Sequence, residues 1–214
     1  MDRQIIVFSG MPASGKDTVT IQLCDSHREF TAFKKFRAIE PGQKKKDTYY
    51  NVSVSEFEEK IRNGDFLQYH GRYGRYYGIA EKTLLEYFDQ NLIPIIHIGR
   101  IENYYVLCDG ISQFEKKYGV TINLHHVLLW ETQEVLIRRI IERDKLEDEI
   151  ANRIAAMKQE FEDNVVMMKN GEKPFSIVIK NENAVATSEM IYLLTQNGVH
   201  RDGYEEFWRY LEQL

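Results

Sequence analysis

The stretch from Gln4 to Thr18 constrains this chain more than any other. Ile5-Ile6-Val7-Phe8 reads as a buried strand, Ser9 to Gly15 as a turn bounded by Gly10 and Gly15, and a helical pattern starts at Lys16. Glycines at both ends let the backbone wrap with its N–H groups inward, and the helix start adds positive potential, so this order of elements suits a phosphate group. Lys16 reaches a β- or γ-phosphate as a mobile charge. Asp17 and then Thr18 follow, where the G-x-x-x-x-G-K-[ST] pattern has a hydroxyl. A hydroxyl there ligates Mg²⁺, and a carboxylate takes that ion directly or through water. Asp17 is therefore the candidate Mg²⁺ ligand. Gly10, Ala13, Ser14, Gly15, Lys16, Asp17 and Thr18 are the candidate ATP contacts. The plainer alternative is a Gly-rich turn that starts a helix, with Asp17 complementing the helix dipole. The strand context and Lys16 favour phosphate.

At 214 residues the chain is long enough for one sizeable core with a small inserted lobe. Its net charge of −5 supplies no global basic field for nucleic acid or an anionic membrane. The two cysteines, Cys24 and Cys108, lack ligand spacing, which points to a reducing compartment. No apolar run is long enough to span a bilayer, and a strand and phosphate loop occupy the N-terminus where a signal peptide would lie. The expectation is a cytoplasmic globular protein.

Along the chain, residues 31–36 read as a second strand. Residues 37–46 are polar, with Pro41-Gly42 and with Arg37, Lys44, Lys45 and Lys46 against Glu40: a solvated loop or an anion-binding one. Residues 48–54 read as a strand leading to a helix, with Ser55 and Glu58 at capping-box spacing and a stop at Asn63-Gly64. Residues 66–70 read as a short strand. Residues 71–78 are rich in Tyr, Arg and Gly, and form either a phosphate- and base-contacting loop or a tyrosine-rich hairpin. A helix over 80–90 precedes a strand over 92–98, whose carboxyl end, where α/β ligand sites lie, carries Gly99-Arg100. A helix over 101–118 and a strand over 121–130 follow; His125 and His126 are adjacent on that strand, face opposite sides and read as structural. Helices over 132–143 and 149–169 flank the charged run 144–148, and Arg138, Arg139, Arg143 and Arg153 either close over phosphates or lace a helical surface. A last strand at 175–179, a helix over 184–196 and an amphipathic tail over 198–214 complete the chain; the tail docks on the core or on a second subunit.

Alternating strands and helices after a phosphate loop imply an α/β fold, a P-loop kinase-type parallel sheet flanked by helices. The loop is followed, in order, by Asn51-Val52-Ser53-Val54-Ser55-Glu56-Phe57, by Tyr76-Tyr77-Gly78, and by Arg139, Arg143 and Arg153. With these blocks the chain resembles guanylate kinase-type nucleotide kinases over roughly residues 4–195. The resemblance implies a core (1–30 and 91–197), a nucleoside-monophosphate lobe (31–90), a lid near 139–155 and a helical tail (198–214). It implies that Arg37, Tyr49 and Tyr77 hold the acceptor phosphate and that Arg139, Arg143 and Arg153 embrace the transferring one. Gln68 stands at the family's base-reading glutamate, Ile79 at its serine after the Tyr-Tyr-Gly turn, His97 and Gly99 at its acidic pair, and Glu40 near its second phosphate-binding arginine. A carboxylate accepts from both guanine N1–H and the exocyclic amine, whereas Gln68 offers one good acceptor. Ribose 1,5-bisphosphokinases resemble the chain in Gly15-Lys16-Asp17 and in the Gly99-Arg100 strand end, while Tyr49 sits in a guanylate-kinase-like setting.

A phosphate monoester needs no general base as acceptor, because its second pKa is about 6. Catalysis is then positioning plus charge neutralisation by Lys16, Mg²⁺ and arginines. The expected activity is ATP- and Mg²⁺-dependent phosphoryl transfer to a nucleoside monophosphate, with GMP first and Arg37, Tyr49, Gln68, Tyr77 and Arg100 as acceptor contacts. The runner-up is a sugar-phosphate kinase. A non-catalytic interaction module of the same fold is disfavoured by the intact Gly10, Gly15 and Lys16. No nucleic-acid or membrane partner is expected, and the chain is expected as a monomer or homodimer.

Overall fold

The computed structural model describes residues 3–72, 75–197 and 203–214; Tyr73 and Gly74 of the aromatic loop and the start of the tail, 198–202, lie outside them. The chain runs β1 (Arg3–Ser9), α1 (Lys16–Ser26), β2 (Phe30–Ala32), β3 (Lys35–Ile39), β4 (Tyr49–Ser53), α2 (Val54–Arg62), β5 (Phe66–Arg72), β6 (Arg75–Ala80) and α3 (Glu81–Asp89). It continues through β7 (Ile93–His97), α4 (Ile101–Tyr118), β8 (Ile122–Trp130), α5 (Gln133–Arg143), α6 (Glu147–Lys169), β9 (Ile177–Lys180), α7 (Ala184–Asn197) and α8 (Tyr204–Leu211).

Ile5, Ile6, Val7 and Phe8 are all fully buried, as expected of a central parallel strand with helices on both faces. Their period of two splits them between two cores. Ile5 and Val7 pack with Ile96, Leu107 and Phe114, whereas Ile6 and Phe8 pack with Val19, Leu23, Leu129 and Ile191. The resulting parallel sheet has the order β2-β7-β1-β8-β9. Strand order reverses at β1, so the crevice at its carboxyl end, where the phosphate loop sits, is the expected ligand position.

A second sheet, β4-β3-β6-β5, holds the middle of the chain. One face packs Phe36 and Phe66 under Phe57 of α2, and a Cβ on Gly78 would lie 2.6 Å from the Phe66 ring. By strand alternation, Lys35, Arg37, Tyr49, Tyr77, Gln68 and His70 share the other face. That face turns toward the core sheet, since Lys35 Nζ donates to the carbonyl of His97 at the end of β7.

Several sequence expectations change here. Residues 31–36 are not one strand: β2 ends at Ala32, Phe33 still donates to Ile95 O, and β3 begins at Lys35 in the other sheet. The two halves serve different cores, which a continuous apolar run does not reveal. Arg37 consequently lies in β3 rather than in a loop. The capping box is Ser53–Glu56, not Ser55–Glu58: Ser53 Oγ accepts from Glu56 N at 3.3 Å, and Glu56 Oε2 accepts from Ser53 N at 2.7 Å. Both pairs have the right spacing, but pairing of β4 with β3 ends at Ser53, which makes it the first residue able to cap. The aromatic stretch is an antiparallel β5–β6 hairpin, with residues 73–74 of its tip outside the described residues. The last strand starts at Ile177, because the Tyr204 hydroxyl takes the Phe175 amide at 2.6 Å and donates to its carbonyl at 3.1 Å. That contact, with buried Phe207 and Leu211, docks the tail on this chain's own core. His125 bonds Gln4 and His126 bonds Ser9 and the Pro174 carbonyl, and the described residues hold no cluster of three His, Cys, Asp or Glu suited to a metal.

Candidate active site

The β1–α1 turn is held open by its backbone. Gly10 (φ 139°) and Gly15 (φ 93°) take left-handed conformations, and Ala13 (φ 66°) is one of two non-glycine residues to do so among those described. A Cβ on Gly10 would meet Leu129 O at 2.0 Å, and one on Gly15 would meet Asn181 Nδ2 at 2.2 Å. Asn181, at the carboxyl end of β9, donates to Ser14 O at 2.8 Å and accepts from Thr187 Oγ1 at 3.0 Å. It laces the turn to the far side of the sheet. Lys16 Nζ folds over the turn and donates to Gly10 O, to Met11 O at 3.0 Å and to Ser14 Oγ at 3.2 Å.

In front of the turn lies a cleft of about 390 Å³ whose lining includes Ala13, Gly15, Lys16, Asp17, Thr18, Arg139 and Arg143. Arg139 of α5 reaches back to Ala13 O at 3.3 Å and Asn181 O at 3.4 Å. Arg143 and Arg153 both pair with Asp144, at 3.2 and 2.9 Å. Arg153 is not part of the cleft lining.

Asp17, in the first turn of α1, stands 3.3 Å from His97 Nδ1, and His97 Nε2 lies 2.7 Å from Thr20 Oγ1. The hydrogen bond from His97 holds the Asp17 carboxyl below the ordinary carboxylate range against the opposing effect of burial, with smaller help from the charges of His97, Lys16 and Arg143. Burial pushes the His97 imidazole below its usual value. The neutral ring then carries its proton on Nδ1 toward Asp17 and accepts the Thr20 hydroxyl on Nε2. Asp17 is largely exposed and offers a hard oxygen donor at the loop. Mg²⁺ binds through one or two carboxylates plus substrate phosphates and water, so this donor set fits it without a protein cage.

On the second sheet, Arg37 is 3% exposed, yet its Nε and Nη1 have no hydrogen-bond acceptor among the described residues. A buried cation normally has its donors satisfied. Tyr49 lies beneath the guanidinium at 5.8 Å and stands 5.6 Å from the Tyr77 ring. Gln68 is 1% exposed, and its Nε2 lies 3.0 Å from His70 Nδ1; the His70 ring in turn stacks on Tyr77. Arg100 lies apart from this group. It is exposed, is 3.8 Å from Glu102, and borders a small crevice beside Gly10.

Five residues of this arrangement carried no site assignment from sequence: Thr20, Lys35, His97, Asn181 and Asp144. His97 ends β7 and Asn181 follows β9, carboxyl ends where α/β ligand sites lie, and the resemblance had also set His97 at the family's acidic pair. Asp144 had none, lying in a run of mixed charge between Arg143 and Lys145 with further carboxylates at 147–149.

A P-loop at the switch point of a parallel sheet, a helix with two arginines lining the cleft and an inserted sheet with a buried arginine, two of whose nitrogens find no acceptor among the described residues, are the architecture of a P-loop nucleoside monophosphate kinase. No family model matches the chain. It is 31% identical over 140 residues to the guanylate kinase of Clostridium tetani, a stretch covering 65% of this chain and 62% of that one. It is 32% identical over 161 residues to that of Streptococcus thermophilus, covering 73% and 72%. The guanylate kinase of Anaplasma phagocytophilum shares the fold, with a TM-score of 0.57 at 18% identity over 94% of this chain and 88% of that one. The chain belongs to the guanylate kinase family.

Proposed function

We propose that this chain transfers the γ-phosphoryl group of ATP to GMP. The observation that carries the reading is Arg37, a buried guanidinium with two donors unused, flanked by Tyr49 and Tyr77 on the face turned toward the P-loop. The phosphate of a nucleoside monophosphate supplies the missing acceptors and countercharge. Its oxygen is already ionised near neutrality, so no residue needs to remove a proton.

On the ATP side, Lys16 exchanges its loop carbonyls for β- and γ-phosphate oxygens, and the Gly10–Gly15 backbone supplies N–H donors. Arg139 and Arg143 face the same cleft and neutralise charge as it shifts between donor and acceptor. Asp17 is the residue that would hold Mg²⁺, directly or through water, and the ion when bound spreads the phosphate charge. Arg100 contributes to the acceptor end only by movement of its exposed side chain. A cytoplasmic setting agrees with the free Cys24 and Cys108, and among the described residues no helix is long and apolar enough to cross a membrane.

The test is ADP release with ATP and Mg²⁺ against GMP, dGMP, AMP, CMP, UMP, dTMP and ribose 1,5-bisphosphate. Preferred turnover of GMP is expected. Turnover of the sugar bisphosphate alone, or of no acceptor, refutes the proposal.

A further inference from the structure

The elbow between α5 and α6 contains an unusual choice of partner. Asp144 is the extended C-cap of α5, its N–H bonded to Ile140 O, and its side chain is only 8% exposed. The C-terminal end of a helix is an unfavourable place for a carboxylate, because the helix dipole is negative there. Two arginines compensate it. Arg143 donates from Nε to Oδ1 at 3.2 Å and from Nη2 to Oδ2 at 3.5 Å, and Arg153 Nε lies 2.9 Å from Oδ2. Glu147, Asp148 and Glu149 follow within five residues, and all three are exposed. None of them pairs with either arginine.

The geometry of the pairing matters more than its charge. Asp144 takes both guanidinium groups by their Nε edges, which leaves Nη1 of Arg143 and both terminal nitrogens of Arg153 without an acceptor among the described residues. Arg143 lines the cleft beside Lys16 and Asp17, and Arg153, six residues into α6, does not. Sharing one carboxylate ties the second arginine to the first, so the two move as one unit. Fixing a long side chain in advance saves rotamer entropy when its ligand arrives.

We propose that Asp144 is a positioning residue: its carboxylate assembles Arg143 and Arg153 into one rigid fork whose terminal nitrogens receive the γ-phosphate. This rests on the phosphoryl-transfer reading above and adds a residue that acts through the arginines rather than on the substrate. A bare pair of surface arginines would sample many rotamers, and a misplacement of about 1 Å costs on the order of a hundredfold in rate.

The experiment uses the full chain and compares wild type with Asp144→Asn and Asp144→Glu, with melting temperature as the check on folding. Equilibrium binding of ADP and of a non-hydrolysable ATP analogue is measured beside kcat and KM. Asp144→Asn is expected to weaken the analogue about tenfold while leaving ADP within about twofold, because only the γ-phosphate loses its fork. kcat should fall about tenfold with KM for GMP within about twofold, and Asp144→Glu should recover part of both losses. Added to an Arg143→Ala/Arg153→Ala background, Asp144→Asn should change neither quantity further. An unchanged ratio of analogue to ADP affinity overturns the proposal. Tighter analogue binding also does so, since it would make Asp144 a competitor for the arginines. So does full additivity with the arginine variants. Should Asp144→Asn not fold, the same ratio measured on Asp144→Glu decides, an unchanged value again overturning it. The binding ratio needs no acceptor, so an enzyme silent on GMP would sink the proposed function and leave this inference separately testable.

Discussion

Replacing Arg37 by Met should make the empty protein more stable and the enzyme worse. The arginine is 3% exposed, and two of its nitrogens lack an acceptor. Each buried orphan donor costs about 1–3 kcal/mol, so Arg37→Met relieves roughly 2–6 kcal/mol while its thioether keeps most of the stem packing. Loss of the contact with the Tyr49 ring at 5.8 Å returns about 0.5–1 kcal/mol. The net expectation is a gain of roughly 1–5 kcal/mol, at about 2–4 °C per kcal/mol for a chain of this size. Melting without ligands should therefore rise by several degrees. Charge-assisted hydrogen bonds to the acceptor phosphate are worth about 1.5–3 kcal/mol, so KM for GMP should rise roughly 10- to 150-fold. KM for ATP should stay within about twofold, because Arg37 is not among the residues lining the P-loop cleft. Differential scanning fluorimetry and a coupled ADP-release assay read both effects, and GMP should raise the melting temperature of wild type but not of the variant. A lower melting temperature together with an unchanged KM for GMP would refute the reasoning, since it would mean that Arg37 is satisfied within the fold.

Lys16→Ala should lower phosphoryl transfer by about a thousandfold with the fold retained, as judged by circular dichroism; unchanged turnover would remove Lys16 from the site. Gly15→Ala places a Cβ 2.2 Å from Asn181 Nδ2 at a φ of 93°, so it should cost about 1–3 kcal/mol in denaturant unfolding and abolish saturable ATP binding. Wild-type ATP affinity in that variant would contradict the lacing role of Asn181. Burial lowers the His126 pKa to about 3, against an unfolded value near 6.5. The unfolded chain therefore binds the extra proton first, and stability present above about pH 6.5 should be lost as pH falls toward 3, by up to about 1.4 kcal/mol per pH unit. Unfolding between pH 7 and 4.5 should show a shallower slope in His126→Gln than in wild type; equal slopes would exclude His126 as the source.

Much of the fold was legible from short-range pattern. The uninterrupted apolar run of β1, the two glycines and Lys16 state a strand, a turn and a helix without help from distant residues, because each feature concerns backbone freedom or burial within a few positions. Helix stops were equally local, as at Asn63-Gly64. The exact ends failed where two local solutions were equivalent, as with the two capping-box spacings after β4, and strand pairing between β3 and β4 chose between them.

What only the tertiary structure decided is which polar groups meet and which are left alone. Asn181 reaches Ser14 across 167 positions, and His97 reaches Thr20 across 77. Asp144 was chosen from several nearby carboxylates because it alone is buried between two guanidinium groups. By residue pattern alone Arg37 was one more charge in a basic stretch, given a role only by the resemblance; placing it in β3 buried it and left its Nε and Nη1 without an acceptor among the described residues. Residue type sets what a side chain can do. Desolvation and partner geometry set what it does, and both depend on segments that become neighbours only when the two sheets are assembled.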